Sequence, residues 1–216
     1  MFAGVDEAGK GAVLGPLVVA AVGCDSDTDL ETIPVRDSKT LTPAARTDLF
    51  ARITTRVIYT ILVIEAGEID TTRRSMTMNQ LMARAHATVI AELRPEIAYV
   101  DACDVIAPRY GHAVSSHLDF PCRVIAEHHA DETIPVVSAA GIVAKVVRDR
   151  LISELAAEFG EIGSGYPSDE TTIAFLKNYI AGHGRPPSIA RASWETTRQI
   201  LCRAEQVELS FFSGDE

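Results

Sequence analysis

Long apolar runs are missing from this chain of 216 residues. None approaches the roughly 18 residues that a membrane-spanning helix needs, which argues against a transmembrane helix. The first residues show no charged segment leading into an apolar one, so no secretory signal is visible and a cytoplasmic protein is expected. Paired cysteines are missing as well. Cys24, Cys103, Cys122 and Cys202 are scattered without a CxxC, which argues against a zinc site or a disulfide framework and fits reduced thiols. Low-complexity stretches are absent, so disorder is not expected ahead of the tail. Cations are in deficit: 20 Lys and Arg stand against 30 Asp and Glu, a net charge of −10. That argues against a broad polyanion binder, but leaves room for a nucleic-acid enzyme whose contact surface is locally basic and whose acids are screened by metal. What the chain has in quantity is apolar side chain, 47% of residues with mean hydropathy +0.11. It suffices for a core in one domain, or one domain and a small appendage.

Strand and helix patterns are interspersed, which gives an α/β class, with a mixed sheet allowed by an early strand-turn-strand. "MFAGVD" and "LGPLVVAAVG" read as strands on either side of a Gly9–Gly11 turn. "LTPAARTDLFARI" reads as a helix with Thr42 as N-cap and Pro43 at its first position. "RVIYTILVIEA" is rich in β-branched residues and reads as a buried strand. The next helix carries Met78, Leu81, Met82, Ala85 and Val89 on one face and stops before Pro95. "IAYVDA" and "CRVIAEHHAD" read as strands, and Val137–Phe159 as a long helix with small residues for close packing. Ser168 or Asp169 can cap the helix that follows, and "SWETTRQILCRAEQ" reads as the last one.

Four acids fall where strands end or give way to helix: Asp6 and Glu7 after "FAGV", Asp101 after "AYV", and Asp131 ahead of "IPVVSAAG". Any one of them alone is more often a cap or a turn residue than a catalytic one. Two adjacent carboxylates on a buried strand are costlier, because they repel each other and lose water unless something positive compensates. Converging carboxylates with few cations nearby suit a hard divalent ion such as Mg²⁺ or Mn²⁺. Tandem His128 and His129, on one strand, would face opposite ways, so ordinary packing or solvent exposure is expected of them.

The blocks "GVDEAGKGAVLGPLVVAAV", "DSKTL", "YVDA", "ADETIPVVSAAGIVAKVVRDR" and "GSGYPSD", in that order, resemble type 2 ribonuclease H (ribonuclease HII) of the archaeal type. "HGRPPSIARASWET" extends the likeness. The resemblance implies a ribonuclease H-like mixed β-sheet flanked by helices, with a C-terminal helical extension. Residues 1–165 would form the catalytic domain, 166–204 a helical segment beside the active site, and 205–216 a flexible tail. It implies a divalent-metal-dependent endoribonuclease that cuts the RNA strand of RNA/DNA hybrids. It also implies cleavage on the 5′ side of single ribonucleotides in duplex DNA, leaving 3′-OH and 5′-phosphate ends. Carried over residue by residue, Asp6, Glu7, Asp101 and Asp131 hold Mg²⁺ or Mn²⁺ and are catalytic, while Asp104 matches no family position and reads as a loop or cap residue.

Gly9, Lys10 and Gly11 match the family's loop for the ribonucleotide, although Lys10 stands where many relatives have arginine and offers no bidentate fork. Tyr166 matches the tyrosine that packs on the ribose. Ser38, Lys39 and Lys145 match phosphate contacts, and Gly141 replaces a common serine. In the tail, Gln206 and Leu209 are spaced like a sliding-clamp ligand, with Phe211 and Phe212 one residue early. A monomer acting on hybrid or ribonucleotide-containing duplex, and no membrane, is the expected setting. Two rivals are a structure-specific nuclease of the same superfamily and a dinucleotide-binding module built on Gly9, Gly11 and Gly15. In the latter, glycines should open a helix, whereas "LGPLVVAAV" continues as strand.

Overall fold

The computed structural model describes residues 1–26, 28–35 and 42–212, the last six by backbone alone. In chain order the elements are β1 (Phe2–Ala8), β2 (Leu17–Cys24), α1 (Thr28–Glu31), α2 (Pro43–Thr54), β3 (Ile58–Ile64) and α3 (Ala66–Thr72). There follow α4 (Met78–Leu93), β4 (Ile97–Asp101), α5 (Ala107–Ser115), β5 (Arg123–Glu127), α6 (Ala130–Thr133), α7 (Pro135–Phe159), α8 (Glu170–His183) and α9 (Glu195–Phe212).

The five strands form one mixed sheet in the order β3-β2-β1-β4-β5. β1 runs antiparallel to β2 and parallel to β4, which is itself parallel to β5. The segment joining β1 to β2 therefore opens a strand and not a helix, against the dinucleotide-binding rival. β1 and β2 are apolar and buried almost throughout. β3 corrects an expectation: it lies at the sheet edge, and Ile58 and Tyr59 face solvent. A β-branched run records fitness for a pleat, and an edge strand shows the same run as a central one.

Side-chain caps open three of the helices, those at Thr42 and Asp169 where the sequence places them. Thr42 Oγ1 accepts from Ala45 N at 3.3 Å, with Pro43 opening α2. Thr77 and Gln80 make a reciprocal capping box at α4, and Asp169 Oδ1 accepts from Thr171 N at 3.0 Å to start α8. α9 continues to Phe212, past the Gln206 expected from the pattern.

The chain divides into two compact units, the first made of Met1–Ala8, Val18–Val63 and Met76–Arg148. Its packing hangs on the alternation of β1. Gly4 and Asp6 face α7, where a Cβ on Gly4 would stand 2.3 Å from Val136 C and 2.4 Å from Val137 N. Ala3, Val5 and Glu7 point the other way, and Glu7 meets α4. The second unit comprises Gly9–Leu17, Ile64–Ser75 and Asp149–Glu216. Its core joins Val13, Leu14, Ile152, Ile162, Leu176, Ile180 and Ile189. Among the described residues, no helix is long and apolar enough to cross a membrane.

Candidate active site

Asp6 and Glu7 close β1, Asp101 closes β4, and Asp131 lies in the first turn of α6. Because β1 and β4 are parallel neighbours, their carboxyl ends share one edge of the sheet, where α/β proteins gather ligands. Asp101 Oδ1 accepts from Ala130 N at 2.9 Å, so the start of α6 is tied to the end of β4. His129 makes that turn possible by taking a left-handed φ of 57°. The hydroxyl of Ser138 donates to the Asp131 carbonyl and fixes α6 against the first turn of α7.

The four acids are brought together. Asp6 is 9% exposed. Burial pushes its carboxyl well above the usual range, and the charge of Glu7 raises it further. Donation from Glu7 N at 2.7 Å opposes this, while Asp101 and Asp131 add to the rise. Asp101 is also raised, first by burial, with the Ala130 N–H opposing and Glu7 and Asp131 reinforcing. Burial and mutual repulsion together raise the cost of keeping these carboxyls ionised. Their all-oxygen donor set, partly desolvated and mutually repelling, is the kind that Mg²⁺ or Mn²⁺ neutralises, so the residues fit a hard divalent cation. Gly141 contributes by having no side chain, since a Cβ there would stand 2.3 Å from Asp6 Oδ2.

Glu7 is held at both oxygens. His86 Nε2 lies 3.2 Å from Oε2, and Cys103 Sγ donates to Oε1 at 3.2 Å. His86 is fully buried on α4, and its Nδ1 lies 3.1 Å from the Tyr110 hydroxyl. Burial pushes the Tyr110 hydroxyl upward, and the nearby anionic groups act in the same direction. His86, Cys103 and Tyr110 went unmarked in the sequence. A histidine on the apolar face of α4 was the available signal, and its partners lie on other elements.

Asp104 is a loop residue, as expected: it accepts from Ile106 N at 3.0 Å and pairs with Arg109, which lowers its carboxyl. His128 and His129 lie beyond β5 and not on it, which corrects the strand reading. His128 Nε2 lies 3.2 Å from the Val105 carbonyl, and exposed His129 has donor atoms of Asp131 and Glu132 within 4.8 Å. Lys145 sits on α7, half-buried. Ser38 and Lys39 lie outside the described residues, as do the side chains of Leu209, Phe211 and Phe212.

In the second unit, Gly9 takes φ 90°, which a side chain resists, and its N–H donates to the Tyr166 hydroxyl at 3.0 Å. A Cβ on Gly11 would meet nothing within 4 Å, so that position is open to a molecule from outside. Arg191 holds this loop and escaped the sequence reading. It is fully buried, and its guanidinium donates to Gly9 O at 2.7 Å, Lys10 O at 3.0 Å and Gly15 O at 3.1 and 3.3 Å. The Trp194 ring lies 4.9 Å from its Cζ. One arginine in "SIARASW" gives no hint of burial, because a fully buried cation is rare and its acceptors are backbone carbonyls elsewhere in the chain.

Comparison with known proteins agrees with this architecture. The profile of the Ribonuclease HII family matches residues 3–197. A Ribonuclease HII of Methanoregula boonei is 55% identical over 212 residues, 98% of this chain and 100% of the relative. That of Thermococcus kodakarensis is 44% identical over 211 residues, 96% and 91% of the two chains. Among solved structures, the ribonuclease H2 of Pyrococcus horikoshii superposes with TM-score 0.89 at 41% identity, covering 95% of this chain and 99% of that one. The ribonuclease HII in a PCNA complex from Archaeoglobus fulgidus gives 0.87 at 42%, covering 93% and 96%. A Bst-RNase HIII in complex with Mn²⁺ shares the fold at TM-score 0.78 and 22% identity, covering 95% of this chain and 70% of that one.

Proposed function

This chain belongs to the ribonuclease HII family, hydrolases that cut the RNA strand of RNA/DNA hybrids with a divalent metal, and from that premise we propose that it also incises the 5′ side of a single ribonucleotide in duplex DNA, leaving 3′-OH and 5′-phosphate ends. One observation carries the assignment: Asp6, Glu7, Asp101 and Asp131, from three separate stretches of chain, lie close enough that their charges act on one another.

Asp6, Glu7, Asp101 and Asp131 would hold the ions, Mg²⁺ or Mn²⁺. Bound there, divalent cations supply Lewis acidity toward the attacking water and the leaving oxygen of a phosphodiester. The chain's own part is placement. Ala130 N–H orients Asp101, Glu7 N–H orients Asp6, and His86 with Cys103 orients Glu7. The Gly9–Lys10–Gly11 backbone and Tyr166 read the ribose, whose 2′-OH distinguishes RNA from DNA. Ser38, Lys39 and Lys145 bind phosphates. The tail around Gln206, Leu209, Phe211 and Phe212 docks on a sliding clamp, a reading supported by the archaeal relative seen with PCNA.

The deciding experiment is a cleavage map on a duplex bearing one ribonucleotide. A metal-dependent nick 5′ to that residue, lost in Asp6→Asn and Asp131→Asn, is expected. No nick, or full activity in those variants, overturns the assignment. Pull-down on a clamp with and without residues 205–216 tests the tail separately.

A further inference from the structure

We propose that Glu7, His86 and Cys103 form a soft-metal site that takes Zn²⁺ and withdraws Glu7 from the hard-metal set. The inhibitory consequence rests on Glu7's role in the proposed nuclease, while the site itself rests on geometry. The donor atoms of the three residues all lie within 4.8 Å of one another. His86 Nε2 is already 3.2 Å from Glu7 Oε2, and Cys103 Sγ is 3.2 Å from Oε1, the other oxygen of the same carboxylate. Tetrahedral zinc, at about 2.0–2.3 Å from nitrogen, oxygen and sulfur, sets its ligand atoms roughly 3.3–3.8 Å apart. Closing the triad from within 4.8 Å to that spacing takes side-chain movements of no more than about 1.5 Å.

The donor chemistry sorts the metals. Mg²⁺ has little use for a thiolate or an imidazole, whereas zinc favours both. The four-residue acid cluster offers oxygens, and the Glu7–His86–Cys103 triad adds sulfur and nitrogen at one of its corners. Tyr110 prepares the imidazole. His86 Nε2 lies 3.2 Å from Glu7 Oε2 and Nδ1 3.1 Å from the Tyr110 hydroxyl, contacts that a neutral ring with its proton on Nε2 satisfies. A hydroxyl both donates and accepts, so the ring can move its proton to Nδ1 and keep the same partner while Nε2 turns its lone pair to a cation. Coordination releases the Cys103 thiol proton to solvent. Asp6 and Asp101 act electrostatically on Glu7, so their carboxylates add to the attraction for a cation held there. A scattered Cys103 with no CxxC gave the sequence no zinc signature, because its co-ligands come from β1 and α4.

Co²⁺ is the probe, on the full chain in excess Mg²⁺. A thiolate-to-cobalt charge-transfer band should appear at one equivalent, be displaced by Zn²⁺, and be lost in Cys103→Ala. Zn²⁺ should slow Mg²⁺-activated cleavage at least about tenfold, and Cys103→Ala and Tyr110→Phe should raise the Zn²⁺ required by about 10–100-fold. Absence of the band, or undiminished zinc sensitivity in Cys103→Ala, overturns the site. A band without cleavage in any metal leaves the site standing and removes the nuclease reading; cleavage without the band does the reverse.

Discussion

Replacing Arg191 by lysine keeps the charge and removes the fork, which isolates what the guanidinium does. The native side chain makes four hydrogen bonds to three carbonyls of the Gly9–Gly15 segment and stacks on Trp194. A lysine ammonium on its single stem keeps about one of them. Three charge-assisted bonds at about 1.5 kcal/mol each amount to about 4.5 kcal/mol. Gly9 O retains its bond from Ala12 N at 3.2 Å, so the loss falls mainly on Lys10 and Gly15. At about 2–4 °C per kcal/mol for a chain of this length, the melting temperature should fall by roughly 10 °C. Below that transition the loop still exists but is less fixed. A misplacement of the order of 1 Å at a reacting centre costs about 10²-fold. kcat/KM on a ribonucleotide-bearing duplex should therefore drop about 10–100-fold, with metal binding at the acid cluster retained. Calorimetry, metal titration and single-turnover cleavage at a temperature where both proteins are folded measure the three. Wild-type melting and wild-type kcat/KM in Arg191→Lys would refute the reasoning.

Gly4→Ala should destabilise by at least about 3 kcal/mol, because its Cβ would meet backbone atoms of Val136 and Val137 and α7 must move away; an unchanged denaturation midpoint counts against it. Asp6→Asn should abolish cleavage yet stabilise the metal-free protein, raising its melting temperature by about 3 °C or more at neutral pH. The sign follows from linkage: the folded Asp6 carboxyl lies above 3.8, so the folded state holds the extra proton, and stability falls as pH rises from about 3.8 through the raised value. The advantage of the variant should shrink on acidification and on adding divalent cation, which stabilises only the wild type; a gap independent of both contradicts the cluster's electrostatics. Tyr166→Phe removes the acceptor of the Gly9 N–H and should reduce the preference for a ribonucleotide over a deoxyribonucleotide more than duplex affinity; equal losses in both exclude a ribose role.

Local chemistry is what the sequence held. Thr42 with Pro43, Thr77 with Gln80, and Asp169 each cap a helix through atoms three or fewer residues away, so the caps could be read without a fold. The apolar runs of β1, β2 and β4 and the long α7 were legible for the same reason. β3 was misjudged in burial because composition records strand propensity but not rank in the sheet. The tandem histidines were misjudged because a strand end is set by its neighbour's register.

Distance along the chain divides the rest. The sequence by itself determined the α/β class, the family and which acids to watch, because those rest on periodicity and on blocks of consecutive residues. Only the tertiary structure put Asp6 against α7 and Glu7 against α4, joined His86 and Cys103 to Glu7 from 79 and 96 positions away, and buried Arg191 under a loop 182 positions earlier. Those partners are chosen by chain closure and burial, and a buried donor finds whichever acceptor the packing brings within 3 Å or so.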